Sequence, residues 1–380
     1  MVAGVSEQAG RFSPIACRRL IVKVGSALLV SDKGEVHADW VETLVTDIAA
    51  RAEAGQQVAI VSSGAIALGA RRLGLGGGGR NSLEDAQAAA AAGQIALAQM
   101  WAELLSQRGL TAAQVLVTLD DLEDRRRYLN ASATLGRLLG LGVVPVINEN
   151  DSVATAEIRF GDNDRLAARV GQAVGAQGVI LLSDIDGLYD ANPHVDTHAK
   201  LIPVVPSITA EIEAMADAKS ASGMGSGGMV SKIEAAKIAT AAGIDLAIIS
   251  GREPHALARF AEAGHGTVFL GEGSSSARKA WIAGRLTSVG TIRVDAGATR
   301  ALASGNSLLP AGVTAVEGQF HRGDMVEIVS PEGKRVARGL SEYDAAEARL
   351  IVGRRSDELS AILGHAPRSA LVHRNHMALV

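Results

Sequence analysis

Cysteine is almost absent from this chain, and its scarcity excludes two kinds of protein. Cys17 is the single cysteine in 380 residues. A disulfide within the chain and a cysteine-rich metal site are therefore both excluded. Free cysteines are among the most buried residues in proteins, and Cys17 lies just before an apolar run. We expect a buried structural thiol.

Aromatic residues, net charge and long apolar runs are also scarce. Aromatic residues make up 3% of the chain, and 37 basic and 41 acidic residues leave a net charge of −4. This balance argues against nonspecific nucleic-acid binding as the main function. The longest uncharged stretch, residues 86–102, is mostly alanine and is shorter than the ~20 apolar residues of a membrane helix. Because the first fifteen residues also lack a signal-peptide pattern, we expect a soluble, cytoplasmic protein.

Apolar runs and helical patterns alternate from residue 20 to about residue 270. Strands are predicted at residues 20–24, 57–62, 114–118, 143–148, 178–183 and 244–250, and long helices at residues 39–54 and 83–107. This order is typical of βαβ units with a mainly parallel sheet. The uninterrupted apolar run in 178–183 fits a strand that is buried on both faces.

The alternation stops near residue 270. Residues 271–277 have the glycine- and serine-rich composition of a linker, and we predict a linker at residues 272–285. Short alternating segments follow, which predict a small, mostly β domain; they lie at residues 288–294, 307–310, 315–317, 324–329, 336–340 and 348–352. Residues 1–17 are expected to be a loose N-terminal extension.

Three predicted strands are each followed by residues that can bind a ligand. Lys23 ends the first strand, Ser62-Ser63-Gly64-Ala65 follows the second, and Ser183-Asp184 follows the most apolar one. In open α/β sheets ligands bind beyond the carboxyl ends of the strands, and a lysine there can bind phosphate. The alternatives are a lysine that faces water, a serine that caps a helix and a simple turn at Asp184.

Acidic and amide side chains are dense in two neighbouring segments. Asn148-Glu149-Asn150-Asp151 follows a predicted strand, and Phe160-Gly161-Asp162-Asn163-Asp164 comes soon after. Such groups bind ammonium ions, organise lysines or hold Mg²⁺ through oxygen ligands. Asp162 can also cap the helix that starts near Asn163, but capping does not account for the other side chains.

A glycine-rich loop precedes a helix that runs to about residue 242. The loop and the first turn span residues 223–232 and end in Lys232. Successive backbone N–H groups and the positive end of a helix form an anion site, so we favour a phosphate-binding loop over a disordered linker. The Gly-x-Gly-x-x-Gly spacing does not indicate a dinucleotide site here, because no strand precedes it.

Seven motifs together resemble the amino-acid kinase family, because they occur in that family's order. They are Lys-Val-Gly-Ser at 23–26, Ser-Ser-Gly-Ala at 62–65, Ala-Gly-Gln at 92–94, Asn-Glu-Asn-Asp at 148–151, Phe-Gly-Asp-Asn-Asp at 160–164, Ser-Asp with Gly-Leu-Tyr at 183–189, and Gly-Ser-Gly-Gly-Met with Lys at 225–232. Leu309-Pro310-Ala311-Gly312-Val313 and Phe320-x-x-Gly323-Asp324 resemble a PUA domain. This arrangement is similar to that of the family members that phosphorylate glutamate.

The resemblance implies both the fold and the reaction. The implied fold is α/β, a three-layer mainly parallel sheet flanked by helices at residues 18–271, followed by a mostly-β PUA-like barrel at residues 286–368. The implied reaction is phosphorylation of the γ-carboxylate of L-glutamate by ATP with Mg²⁺, the first step of proline biosynthesis. Proline is implied as a feedback inhibitor, and the chain as a homodimer or homotetramer.

The resemblance also assigns roles to residues of this sequence. Lys23, Asp164 and Lys232 are implied as catalytic, and Ser63, Asp151 and Asn163 as glutamate-binding. Implied ATP-binding residues are Lys23, Ser183, Asp184, Ser226, Gly227, Gly228, Met229, Val230, Ser231 and Lys232. No direct protein ligand of the metal is assigned.

Three alternatives remain at this stage. A kinase for N-acetylglutamate would leave Asp151 without an ammonium group to bind. A non-catalytic amino-acid sensor would not need both lysines and Asp164. An RNA-binding protein would act through the PUA-like domain, but Ser288 to Arg368 contains ten basic and ten acidic residues, and affinity for RNA phosphates requires clustered positive charge.

Overall fold

The computed structural model describes residues 3–31, 34–153, 163–193, 195–217, 228–272, 288–368 and 370–379. The chain divides into two compact units. The first comprises residues 1–123 and 130–272, and the second comprises residues 124–129 and 273–380. Apart from Glu272, the expected linker at 272–285 lies outside the described residues.

The first unit contains an eight-stranded sheet. Its strands are β1 (Arg19–Val24), β2 (Gln57–Ser62), β3 (Ala112–Val117), β4 (Val144–Glu149), β5 (Gly178–Ser183), β6 (Val204–Val205), β7 (Asp245–Ser250) and β8 (Thr267–Phe269). Their order is β3-β4-β2-β1-β5-β7-β8-β6. All neighbours pair in parallel except β7 and β8. The predicted mainly parallel sheet is confirmed.

Helices connect these strands. Those of the first unit are α1 (Ala3–Gly10), α2 (Ser26–Leu29), α3 (Ala38–Glu53), α4 (Ala65–Leu73), α5 (Leu83–Gln107), α6 (Leu119–Glu123), α7 (Arg125–Gly140), α8 (Asn163–Val174), α9 (Ala210–Asp217), α10 (Met229–Ala241) and α11 (Ala256–Ala263). The first five residues of α7, 125–129, are grouped with the second unit. Within the described ranges, no helix is both long enough and apolar enough to span a bilayer.

The sheet is buried on both faces, which gives three layers. Along β1, Leu20, Val22 and Val24 belong to one apolar core, which also holds residues of α3, α5 and α11. Ile21 points to the opposite core, which is shared with α8 and α10. Successive side chains of a strand point to opposite faces, so an uninterrupted apolar run is what a sheet covered on both sides requires.

The N-terminal segment differs from the expected loose extension. Phe12 is fully buried, and its ring meets that of Phe260 edge to face at 5.7 Å between centroids. The buried side chains of Arg51 and Gln56 donate hydrogen bonds to the Phe12 carbonyl oxygen. Cys17 is buried as predicted, and its burial raises the pKa of the thiol to about 12. The segment is ordered because it covers apolar surface and satisfies buried polar groups.

The second unit contains a five-stranded sheet. Its strands are β9 (Gly290–Val294), β10 (Val313–Gly318), β11 (Met325–Val329), β12 (Arg335–Ser341) and β13 (Val372–Leu379), in the order β10-β9-β11-β12-β13. Only β9 and β11 pair in parallel. A separate apolar core includes Ile292, Val326 and Leu371. The predicted mostly-β character is confirmed.

Two details of the second unit differ from the prediction. The segment at residues 348–352 was predicted as a strand, but a helix, α13 (Ala345–Leu350), occupies most of it; the unit's other helices are α12 (Ala296–Ala303) and α14 (Leu359–Leu363). Alanine, glutamate, arginine and leucine are strong helix formers, and they outweigh the alternation of apolar residues. The sheet also continues beyond residue 368, because β13 pairs with β12.

Candidate active site

The predicted site residues gather at the carboxyl edge of the large sheet. Strands β4, β2, β1 and β5 are neighbours in that order. Lys23 lies near the end of β1, Ser63 follows β2, and Ser183 ends β5. Parallel strands end at the same edge of a sheet, where ligands bind in open α/β folds. The topology therefore places these separate motifs in one region.

Asp164 lies between two buried lysines. Its Oδ1 is 2.6 Å from Lys23 Nζ, and its Oδ2 accepts a hydrogen bond of 3.0 Å from Lys232 Nζ. Relative exposures are 6% for Lys23, 1% for Asp164 and 3% for Lys232. Lys23 does not face water, so that alternative for the strand-end lysine is wrong. The group carries two positive charges and one negative charge, which leaves a net positive charge available to an anion.

The charge of Asp164 is maintained by its neighbours. Burial by itself would raise the pKa of this carboxyl group, but the two lysines lower the pKa to about 2. Asp164 therefore stays ionised at neutral pH. Such a group is too weak a base to accept a proton there, but it can hold the two lysines in place.

A chain of polar side chains adjoins Asp164. Asn163 Nδ2 donates to Ser63 Oγ at 2.8 Å and to Asn148 Oδ1 at 3.1 Å. Asn148 Nδ2 donates to Gln94 Oε1 at 2.8 Å. Asn163 and Asp164 are consecutive residues in the first turn of α8, so the polar chain and the lysine pair are held by one helical turn.

Ser63 does not cap a helix. Gly64 precedes the first residue of α4 with φ of 106°, and no side chain caps this helix. A φ in this range is accessible to glycine at little cost. The capping alternative for Ser63 is therefore wrong, and its hydroxyl group belongs to the polar chain.

Asp151 is a buried carboxylate close to the carboxyl end of β4. It opens a short 3-10 turn, Asp151–Val153, directly after β4 and Asn150. Burial raises its pKa to about 6, although the positive charge of Arg80 acts in the opposite direction. Among the residues that the structure describes, its Oδ1 has no hydrogen-bond partner. A cationic ligand group would satisfy this oxygen and restore a lower pKa.

The predicted nucleotide-binding residues occupy two places. Ser183 Oγ donates to Asp184 Oδ1 at 3.1 Å, and Asp184 is exposed. Gly228 precedes the first residue of α10, and the first turn of that helix contains Met229, Val230, Ser231 and Lys232. The N–H groups of a first helical turn have no acceptor within the helix. Ser226, Gly227, Phe160, Gly161 and Asp162 lie outside the described residues.

Two residues of the polar chain, Asn148 and Gln94, have no role that the sequence predicts. The sequence places Asn148 in an acidic and amide segment and Gln94 in a motif. Their position after an apolar strand and beside a glycine was the available signal. The hydrogen bonds that join them depend on contacts between α5, β4 and α8, which the sequence pattern does not specify.

Comparison with known proteins yields two family matches. The model of the amino acid kinase family matches residues 18–250, and that of the PUA domain matches residues 290–363. Glutamate 5-kinase from Sphingopyxis alaskensis is 66% identical over 369 residues, which cover 97% of this chain and 99% of the relative. The glutamate 5-kinases of Zymomonas mobilis and Agrobacterium fabrum are 60% and 53% identical, and the matches cover 97% and 95% of this chain and 93% and 92% of those proteins.

Proposed function

The chain belongs to the amino acid kinase family, and we propose that it has glutamate 5-kinase activity, phosphorylating the γ-carboxylate of L-glutamate with ATP. This reaction is the first step of proline biosynthesis. Relatives with that activity in their names match nearly the whole chain at 53–66% identity. The observation that carries the mechanism is Asp164, held between two buried lysines and directly adjacent to Asn163.

The reaction needs no general base. A γ-carboxylate oxygen of glutamate, already ionised at pH 7, attacks the γ-phosphorus of ATP. The bond from that phosphorus to the oxygen bridging it to the β-phosphate breaks, and its electron pair leaves with ADP. The products are γ-glutamyl phosphate and ADP, and no proton is transferred. Catalysis of phosphoryl transfer consists mainly of positioning and charge stabilisation.

The buried lysines supply that charge stabilisation. Lys23 and Lys232 would contact the transferring phosphoryl group and the leaving oxygen. Asp164 would hold both ammonium groups in place through its two oxygens. Because the pKa of Asp164 is about 2, it remains charged at neutral pH.

The polar residues near α8 would bind glutamate. Asp151 is the natural partner of the α-ammonium group, and Ser63 and Asn163 would supply further polar contacts to the substrate. N-acetylglutamate has no ammonium group and would leave the Asp151 carboxylate buried without a counter-ion. Asp151 therefore favours the free amino acid over the acetylated one.

ATP would lie between the end of β5 and the first turn of α10. Ser183 and Asp184 are proposed on one side of it, and residues 226–232 on the other, where backbone N–H groups favour phosphate. Both oxygens of Asp164 already contact lysines, and Asp184 is exposed. These carboxylates do not form a closed set of protein ligands, which fits Mg²⁺ held mainly by phosphate oxygens and water. The bound ion would reduce the negative charge of the phosphates.

The location in the cell, the inhibition by proline and the oligomeric state are predicted from the sequence alone. We propose a cytoplasmic enzyme that is inhibited by proline and assembles as a homodimer or homotetramer, as the sequence resemblance implies.

Trapping of the acyl phosphate with hydroxylamine tests the proposal. The intact protein is incubated with ATP, Mg²⁺ and hydroxylamine, and with L-glutamate, N-acetylglutamate or L-aspartate. We expect hydroxamate with L-glutamate alone, and none without ATP. Hydroxamate with N-acetylglutamate instead would overturn the assigned acceptor. The lack of hydroxamate with all three acceptors, from protein shown to be folded, would reject the enzyme and favour a sensor.

A further inference from the structure

Gln94 lies where two helices cross unusually closely. A Cβ atom on Gly93 of α5 would lie 1.8 Å from the Ala65 carbonyl oxygen, and one on Gly69 of α4 would lie 1.8 Å from that of Ala89. Only glycine permits such an approach of two backbones. The next residue, Gln94, is buried and contacts Asn148 at the end of β4. The glycine pair thus brings the amide of Gln94 to the polar chain.

The hydrogen bonds along this chain have a defined direction. Gln94 Oε1 accepts from Asn148 Nδ2, which turns Asn148 Oδ1 toward Asn163. Asn148 Oδ1 then accepts from Asn163 Nδ2, which also donates to Ser63 Oγ. An amide has one donor end and one acceptor end. The orientation of each amide therefore depends on that of its neighbour in the series, and Gln94 is the amide at the end opposite Ser63, where its Nε2 has no hydrogen-bond partner among the described residues.

At the Asn163 end of this hydrogen-bonded series of side chains, one acceptor is left unused. Among the described residues, Asn163 Oδ1 is buried without a hydrogen-bond partner, as is Asp151 Oδ1. Because Ser63 Oγ accepts from Asn163, its own hydrogen remains available to a ligand. If Asn163 were turned over, a donor would replace the acceptor. A substrate ammonium group requires acceptors, so the orientation of this amide matters for binding.

We propose that Gln94 is a positioning residue for the amino-acid substrate: by orienting Asn148, it orients Asn163 so that Oδ1 faces the α-ammonium group of glutamate. Gln94 itself acts through Asn148. The inference rests on the proposed function, since glutamate is the substrate that is positioned. It predicts an effect on glutamate binding that is separate from ATP binding and from folding.

The first experiment compares Gln94→Met with Gln99→Met in the full chain. Methionine resembles glutamine in size but cannot accept the hydrogen bond of Asn148. We expect the KM for glutamate to rise on the order of tenfold, as for one lost hydrogen bond, with the KM for ATP and the melting temperature changed little. Gln99 lies on the same helix, is exposed and pairs with Glu103, so its variant should behave as the wild type.

Two further variants separate orientation from packing. Gln94→Glu keeps an acceptor for Asn148 Nδ2 but adds a charge at a buried position, and it is expected to raise the KM for glutamate less than Gln94→Met does. N148D replaces the donor end of Asn148 by a second acceptor, so either oxygen can face Asn163. In that background, Gln94→Met should raise the KM by less than about twofold, which gives strong non-additivity in the double-mutant cycle.

Each outcome decides the inference. An unchanged KM in Gln94→Met, a larger increase in Gln94→Glu than in Gln94→Met, or full additivity with N148D would overturn it. An equal loss of glutamate binding, ATP binding and thermal stability in both Gln94 variants would show a structural role only. Wild-type protein without activity on glutamate would instead refute the proposed function, and this is measured first.

Discussion

Buried charge at Asp164 is the decisive feature at the scale of single residues. Two lysines and one carboxylate are almost fully buried together. Removing one partner from such a group leaves the remaining charges uncompensated, which is unfavourable. A phosphate group that approaches the two lysines would balance their excess positive charge. The apo site is therefore better satisfied with an anion than without one.

Lys232→Ala tests the charge that this group supplies. We expect kcat for γ-glutamyl phosphate formation to fall at least ~10²–10³-fold, the usual effect of removing one group that stabilises the transition state. Lys237→Ala is the matched control, because Lys237 lies on the same helix but forms partly exposed ion pairs with Glu213 and Glu234. Both variants should show the circular dichroism spectrum of the wild type. Normal turnover in Lys232→Ala would reject the assignment.

Asp151 provides a prediction on pH dependence. Burial raises its pKa to about 6, so in the free enzyme it is ionised above pH 6 and protonated below. Only the ionised form pairs with the ammonium group. We expect kcat/KM for glutamate to fall about tenfold per pH unit below pH 6, while the KM for ATP changes much less.

Asp151→Asn is the control for that profile. Its kcat/KM for glutamate should be low at every pH, and the inflection near pH 6 should disappear. Because the pKa of Asp151 is raised from 3.8 to about 6 on folding, the stability of the apo protein falls as pH rises between these values, and the full cost of the buried charge is present above about pH 6. The variant should therefore unfold at no lower temperature than the wild type at pH 8. An inflection that persists in Asp151→Asn would assign it to another group.

At the scale of elements, the N-terminal segment shows how packing overrides sequence appearance. Residues 1–17 contain no long apolar run, yet Phe12 and Cys17 are fully buried. A single aromatic side chain buries as much area as several smaller ones. The segment also supplies carbonyl groups to Arg51 and Gln56, two buried side chains that lie far away in sequence.

Phe12→Ala tests the importance of this contact. We expect the free energy of unfolding to fall by about 3–5 kcal/mol, as for other buried phenylalanines, as measured by urea denaturation. Ile15→Ala is the matched control, because Ile15 is 98% exposed and its truncation should change stability by less than about 0.5 kcal/mol. Equal stability of the two variants would contradict the burial of Phe12.

At the scale of the whole molecule, the described site residues lie in one of the two units. The site residues that the structure describes all belong to residues 1–123 and 130–272. The second unit has an apolar core of its own, which holds Tyr343 and Met377 among others. Domains with their own cores can fold independently.

Truncation tests this separation. A chain of residues 1–272 is expected to form glutamate hydroxamate with a kcat within about threefold of the intact protein, because a domain with its own core can retain its site. Circular dichroism and thermal melting establish that the truncated chain is folded. A folded chain without activity would show that residues 273–380 contribute to the site or to its conformation.

The sequence by itself determined the class of fold and the identity of most candidate residues. Uninterrupted apolar runs such as residues 178–183 predicted strands buried on both faces, since a strand with one wet face must alternate. The bounds of β2, β5 and α5 were predicted to the residue, because glycine, serine and polar residues mark their ends. Motifs at strand ends identified Lys23 and Ser63, since parallel strands bring such positions to one edge. Asp164 was identified by a dense acidic and amide segment, and its role was implied by the family resemblance.

Only the tertiary structure decided which of these residues meet and what their charges are. Asp164 is 141 residues from Lys23 and 68 from Lys232 in sequence, so no local pattern indicates that both lysines contact it. The hydrogen bonds of Gln94 depend on a helix crossing that two glycines allow, and the burial of Phe12 depends on Phe260, which is distant in sequence. Periodicity also failed for α13, where helix-forming residues outweighed a strand-like alternation. The periodicity of apolar residues indicates which face of a segment is buried. The pKa values, the burial of single side chains and the amide orientations depend on the groups that folding brings close together.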